Sequence, residues 1–228
     1  MTNIVKHDKK KKNNLLTIFI TIIIIIIIFI GLDKLINKGQ KNNKEMVTKV
    51  LDNSYTKGDI NAKVKLIEYA DFQCPACRSL SPVLDSVFEE VNNKYGSTTL
   101  SITFKYFPLT SIHKNALLSA YSAEAARLQG RFWDFEKVLF EKQNEWGEAL
   151  DAKSKIESYA KDMNLDMAKF ITDRDSDSSR SIVNSALLEA TKLKLDHTPT
   201  VFMNGEEMID LQHTKDYIIK EIEKELLK

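Results

Sequence analysis

The two cysteines of this chain, Cys74 and Cys77, are separated only by Pro75 and Ala76, and so tight a pair limits what the surrounding chain can be. A disulfide across so small a ring removes little freedom from the unfolded chain and would stabilise a fold poorly. A structural zinc site needs four ligands; with no second cysteine pair, the rest would come from His113, His197, His213 or carboxylates at no recognised metal spacing. The flanking residues favour chemistry. Val64 to Ala70, VKLIEYA, is almost continuously apolar and rich in strand-forming residues, which predicts a central strand covered on both faces, with Glu68 as its one acidic anomaly. After the pair, Leu80, Val83, Leu84, Val87, Phe88 and Val91 recur at helical spacing until Gly96. Cys74 is thus expected at a helix N-terminus, where unpaired backbone N–H groups stabilise an anion, with Cys77 one turn inside. Stabilising a thiolate by about 1 to 2 kcal/mol lowers its pKa by roughly one unit. Pro75 suits the first turn, where its missing N–H forfeits no bond. Cys74 would form a mixed disulfide that Cys77 resolves.

The N-terminus carries a second strong signal. Lys6 and Lys9 to Lys12 precede Leu15 to Leu32, a stretch without a charge that includes Ile22 to Ile28 unbroken. At 1.5 Å per residue it would span roughly 27 Å as a helix, close to the thickness of a bilayer's hydrocarbon core. A cleaved signal peptide has a shorter apolar core and a small-residue cleavage site, which FIGLDKLIN does not offer. All-round apolarity argues against a buried soluble helix. The expectation is a basic cytoplasmic segment over 1–14, a transmembrane signal anchor over 15–32, and a polar tether with a short lead-in element over 33–58. Residues 33 onward would lie outside the cytoplasm, in the plasma membrane's oxidising surroundings, although Lys34, Lys38, Lys41 and Lys44 make the charge asymmetry slight. With 33 basic and 32 acidic side chains, the chain has no global field to attract nucleic acid.

Further along, Leu100, Ile102, Phe104 and Tyr106 alternate with polar residues, predicting a strand that Pro108 closes. From about 111 to 195 the pattern is helical. Strand character returns at TPTVFMNGEEMIDL, where Asn204-Gly205 signals a two-residue hairpin, and Ile218, Ile219, Ile222 and Leu226 mark a last amphipathic helix.

KLIEYADFQCPACRSLSP and HTPTVFMNG together resemble the thioredoxin-fold superfamily, and within it the DsbA-like thiol:disulfide oxidoreductases, including membrane-anchored members. The likeness covers about residues 55 to 228. Cys74 and Pro199 lie 125 positions apart, and the surplus over plain thioredoxin is the helical block, beginning at Phe107-Pro108-Leu109. The resemblance implies an α/β thioredoxin fold over 59–228 with a helical insertion at about 111–195, preceded by the transmembrane helix. It implies Cys74 as nucleophile, Cys77 as resolver, and Thr198 with a cis Pro199 as the platform that receives an extended substrate segment. Pro82 is similar to a kink proline of the family's active-site helix. Glu68 matches a buried acid, which could exchange a proton with Cys77. Pro75 and Ala76 would tune the potential. Strongly oxidising members carry histidine in that dipeptide, so Ala76 implies a less stabilised thiolate. Exported proteins as substrates and a membrane oxidase as electron acceptor are likewise implied, with the cysteine pair itself as redox group and no metal or other cofactor. A disulfide reductase or isomerase, and a chaperone or binding module with inert cysteines, are the alternatives.

Overall fold

The computed structural model describes residues 20–36, 38, 39, 41, 47, 55–209 and 214–227. The chain divides into two compact units, Met1–Lys44 and Glu45–Lys228. In the first, residues 20–36 form a helix, α1, whose isoleucines and Phe29 are exposed. Among the described residues no helix is long and apolar enough to cross a membrane. The expected anchor over 15–32 is therefore not seen as a complete span: its positions 15–19, the basic segment 1–14 and much of the tether lie outside the described residues.

The second unit is built on a sheet of order β1-β3-β2-β4-β5. Its strands are β1 (Thr56–Lys57), β2 (Val64–Ala70), β3 (Leu100–Tyr106), β4 (Thr200–Met203) and β5 (Glu206–Glu207). The anticipated central strand is β2, parallel to β3 and antiparallel to β4. The Asn204-Gly205 turn joins β4 to β5 with both residues at positive φ, 49° and 83°, as a tight hairpin requires. Between β2 and β3 runs α2 (Pro75–Tyr95), and the chain ends in α9 (Lys215–Leu226). Leu80, Leu84, Val87 and Val91 of α2 pack with Ile218 and Ile222 of α9 against Val64, Leu66, Leu100 and Ile102 of the sheet. Full burial of each such side chain contributes roughly 1.5–3 kcal/mol, which outweighs the intrahelical bond that Pro82 forfeits within α2.

The helical block is α3 (Ala116–Arg127), α4 (Phe132–Glu141), α5 (Gln143–Trp146), α6 (Ala152–Asp162), α7 (Met167–Arg174) and α8 (Asp177–Lys192). Its core, including Phe132, Phe135, Phe140 and Trp146, closes over Phe72, Phe104 and Tyr106 at the ends of the strands. Phe72 stacks on Phe104 with ring centroids 4.9 Å apart. The cysteine pair thus lies where the sheet's carboxyl ends meet the insertion. The sequence pattern did not show β1, whose two residues are too few for a periodicity, nor that Val47 buries beside Tyr69 and Phe202.

Candidate active site

Strand alternation places Glu68 on the same side of β2 as Val64 and Leu66, the side that α2 covers. The chain then turns through Asp71–Gln73 into the helix. Asp71 shapes this loop: its buried carboxylate accepts the N–H groups of Gln73 and Leu109, both at 2.8 Å, and lies 2.7 Å from His113 Nδ1. Its carbonyl accepts the Cys74 N–H at 3.0 Å.

Cys74 is the N-cap residue of α2, with extended backbone (φ −73°, ψ 122°), and Pro75 occupies the first turn. Both cysteines are free thiols, Cys74 7% exposed and Cys77 fully buried, while Pro75 and Ala76 are exposed. The bond between Thr198 and Pro199 is cis, and the Cys74 thiol donates to the Thr198 carbonyl at 3.3 Å. Across 124 positions of sequence, the structure brings together Cys74, Cys77, Glu68, Thr198 and Pro199, all buried. His197 stays exposed, 2.8 Å from Asp196.

The two sulfurs differ electrostatically. A hydrogen bond from the Cys77 thiol is the main influence that pulls the Cys74 thiol down to about 5, against the opposing effect of burial; Thr198 and the backbone N–H groups of Cys77 and Ala76 add to it. The Thr198 hydroxyl is buried with no partner while Cys74 is a thiol. It is free to donate to the sulfur once the proton leaves, which accounts for its lowering effect. The side chain of Ala76 offers nothing, as expected, but its backbone N–H does. Cys77 is pushed well above its ordinary value by burial, then by its bond to Cys74 and by the Glu68 carboxyl.

Glu68 is pushed well above the usual carboxylate range, first by burial and then by Glu136, Cys74 and Asp85. One of its oxygens, Oε1, has no hydrogen-bond partner. Beyond it, Glu136 is raised to about 7, mainly by burial, and accepts from Ser81 Oγ at 2.9 Å. Glu136, like Asp71, Gln73 and Gln143, escaped the sequence reading. Among the described residues, no group of three or more His, Cys, Asp or Glu side chains could hold a metal ion.

The model of the family described as Thioredoxin matches residues 51–223, most of the chain. The chain belongs to the thioredoxin family. Within it, the fold is that of the DsbA-like members. BdbD of Bacillus subtilis in its oxidised form superposes with a TM-score of 0.65 at 22% identity, covering 76% of this chain and 93% of BdbD. Alpha-DsbA1 of Wolbachia pipientis gives 0.64 at 22% identity, covering 80% and 94%. MdbA of Corynebacterium diphtheriae, a thiol-disulfide oxidoreductase, gives 0.59 at 20% identity, covering 77% and 91%. Among curated relatives, the Na(+)/H(+) antiporter NhaA 1 of Mycolicibacterium vanbaalenii is 32% identical over 160 residues. The match takes in 68% of this chain but 24% of the antiporter, so the likeness is to one part of a longer protein. This thioredoxin-family chain therefore shares with its structural neighbours both the sheet that carries the redox helix and the insertion that covers it.

Proposed function

We propose that this protein is a membrane-tethered thiol:disulfide oxidoreductase that introduces disulfides into exported proteins. In the oxidised form a substrate thiolate attacks Cys74 Sγ, the Cys74–Cys77 bond breaks, and Cys77 leaves as a thiolate. Glu68, kept protonated by burial, supplies the proton that Cys77 then holds. A second substrate thiolate attacks the substrate sulfur of the mixed disulfide and expels Cys74 as a thiolate. The substrate loses two electrons and the cysteine pair gains them, so no further cofactor is needed. A membrane oxidase that takes those electrons restores the disulfide. Thr198 and Pro199 form the platform on which an extended substrate segment lies beside Cys74, in the manner of strand addition.

The observation that carries this reading is the asymmetry of the thiols: Cys74 ionises easily at the helix start while Cys77, one turn inside, stays protonated. A well-stabilised Cys74 thiolate is a good leaving group and makes the disulfide the more oxidising form, which favours oxidation over reduction as the working direction. Tethering through residues 15–32 is supported by the uncharged run and by Ile22 to Ile28, each about half exposed or more, a surface that water does not favour. The catalytic unit would then stand outside the cytoplasm. The test is Cys77→Ala in cells: mixed disulfides between Cys74 and exported proteins accumulate, and recovering none would overturn the reading.

A further inference from the structure

The redox loop is gripped from the insertion by side-chain amides. Gln143, on the short helix α5, is 4% exposed, and its Nε2 donates to two carbonyls of the loop, that of Phe72 at 2.8 Å and that of Cys74 at 2.9 Å. The Cys74 carbonyl also accepts the first intrahelical bond of α2, from the Arg78 N–H at 3.1 Å. Gln73, between the two carbonyls, is held in turn: its Oε1 accepts the Asn115 N–H at 2.7 Å, and its Nε2 donates to Glu148 at 2.8 Å. Asn115 Nδ2 closes the arrangement by donating to the carbonyls of Trp146, Gly147 and Ala149. Gly147 has no room for a side chain, since a Cβ there would sit 2.8 Å from the Gln143 carbonyl oxygen.

An amide that donates both its protons to carbonyls on either side of a residue fixes the orientation of the peptide planes between them. The plane following Cys74 carries the Cys74 carbonyl, and it leads directly to the N–H groups of Ala76 and Cys77 that face the sulfur. We propose that Gln143 is a positioning residue for Cys74, holding the loop's backbone from the helical insertion so that the helix N–H groups and the Thr198 hydroxyl meet the sulfur together. The insertion is then part of the redox site and not only its cover. The inference rests on the oxidoreductase reading above and adds to it a means by which movement of the insertion changes the reactivity of the thiol.

The test uses the reduced full-length protein and the ultraviolet absorbance of the Cys74 thiolate as a function of pH. Gln143→Met keeps the length of the side chain but removes both donors, leaving the Phe72 carbonyl without this partner. The expected result is a Cys74 titration raised by about one unit, with alkylation by iodoacetamide at mildly acid pH slowed by up to about tenfold. A folded Gln143→Met protein that melts at a lower temperature but titrates as the parent does would overturn the proposal, because a merely structural amide changes stability alone. Gly147→Ala would set a Cβ 2.8 Å from the Gln143 carbonyl oxygen, so the backbone of α5 must shift, and it is expected to move the titration in the same direction. Failure of both variants to fold would assign Gln143 to the core and also overturn it. If the parent itself titrates as an ordinary cysteine, there is no stabilised thiolate for Gln143 to position and the proposal is overturned, whereas the oxidoreductase reading is decided separately by the mixed disulfides of Cys77→Ala.

Discussion

Cys74 and Cys77 are separated by a single helical turn, yet the regions around them are opposites. Around Cys74 the neighbours are donors: backbone N–H groups at the start of α2, the Cys77 thiol and the Thr198 hydroxyl. Around Cys77 burial dominates, with its bond to Cys74 and the Glu68 carboxyl adding to it, and Glu68 is raised in turn by burial, Glu136, Cys74 and Asp85. One region stabilises a negative charge and the other repels it. The lesson is that the CxxC spacing supplies the two sulfurs, but the surroundings supplied by β2, the insertion and the Thr198–Pro199 loop divide the work between them.

The comparison is broken most severely by removing the anion-stabilising side. Cys74→Ser should reduce insulin or model-peptide thiol oxidation by more than about a thousandfold, whereas Cys77→Ala, with no internal disulfide to be attacked, keeps a Cys74 thiolate that attacks a disulfide of an exported protein, expels one of its sulfurs as a thiolate and stays joined to the other as a mixed disulfide. Next in size is Glu68→Gln. Its amide cannot deliver a proton to the departing Cys77 sulfur, so the step in which the Cys74–Cys77 bond breaks should slow by about a hundredfold at neutral pH, measured by stopped flow. An unchanged rate would leave Glu68 as a structural acid.

A smaller effect concerns stability. Cys74 in the reduced folded protein ionises near pH 5, below its value of about 8.5 in an unfolded chain. A group whose folded pKa is depressed contributes stability that is present above the unfolded pKa and is lost as pH falls through the folded one. The reduced form should therefore gain stability relative to the oxidised form as pH rises from about 5 to about 8.5, and lose that advantage below it. Cys77, raised, acts in the opposite sense and only at higher pH. Calorimetry of both forms across this range reads the difference. Smallest is Ala76→His, which adds a donor to the exposed dipeptide and should lower the Cys74 titration by about one unit or less.

Much of this was legible because it is carried by local pattern. VKLIEYA announces β2, the apolar positions after Cys77 announce α2, and Asn204-Gly205 announces the hairpin. The family resemblance added the pairing of Cys74 with Thr198 and Pro199. What remained hidden were polar residues whose burial only the fold decides. Gln143 and Glu136 sit in a helical stretch where a glutamine or a glutamate ordinarily faces water, and nothing in their neighbours marks them as pointing inward. Asp71 reads as a turn residue, and only the structure shows that it gathers Gln73, Leu109 and His113. The sulfur's surroundings, and hence the thiolate's stability, depend on residues more than sixty positions away in sequence.

The most direct test of the central claim is a pH titration of the reduced protein, following thiolate absorbance and the rate of alkylation at each cysteine by mass spectrometry. The account predicts one thiolate appearing with a midpoint near pH 5 and assigned to Cys74, while Cys77, pushed up by burial, remains a thiol well past the range in which an ordinary cysteine ionises. Two cysteines ionising together near the ordinary value of about 8.5 would contradict it.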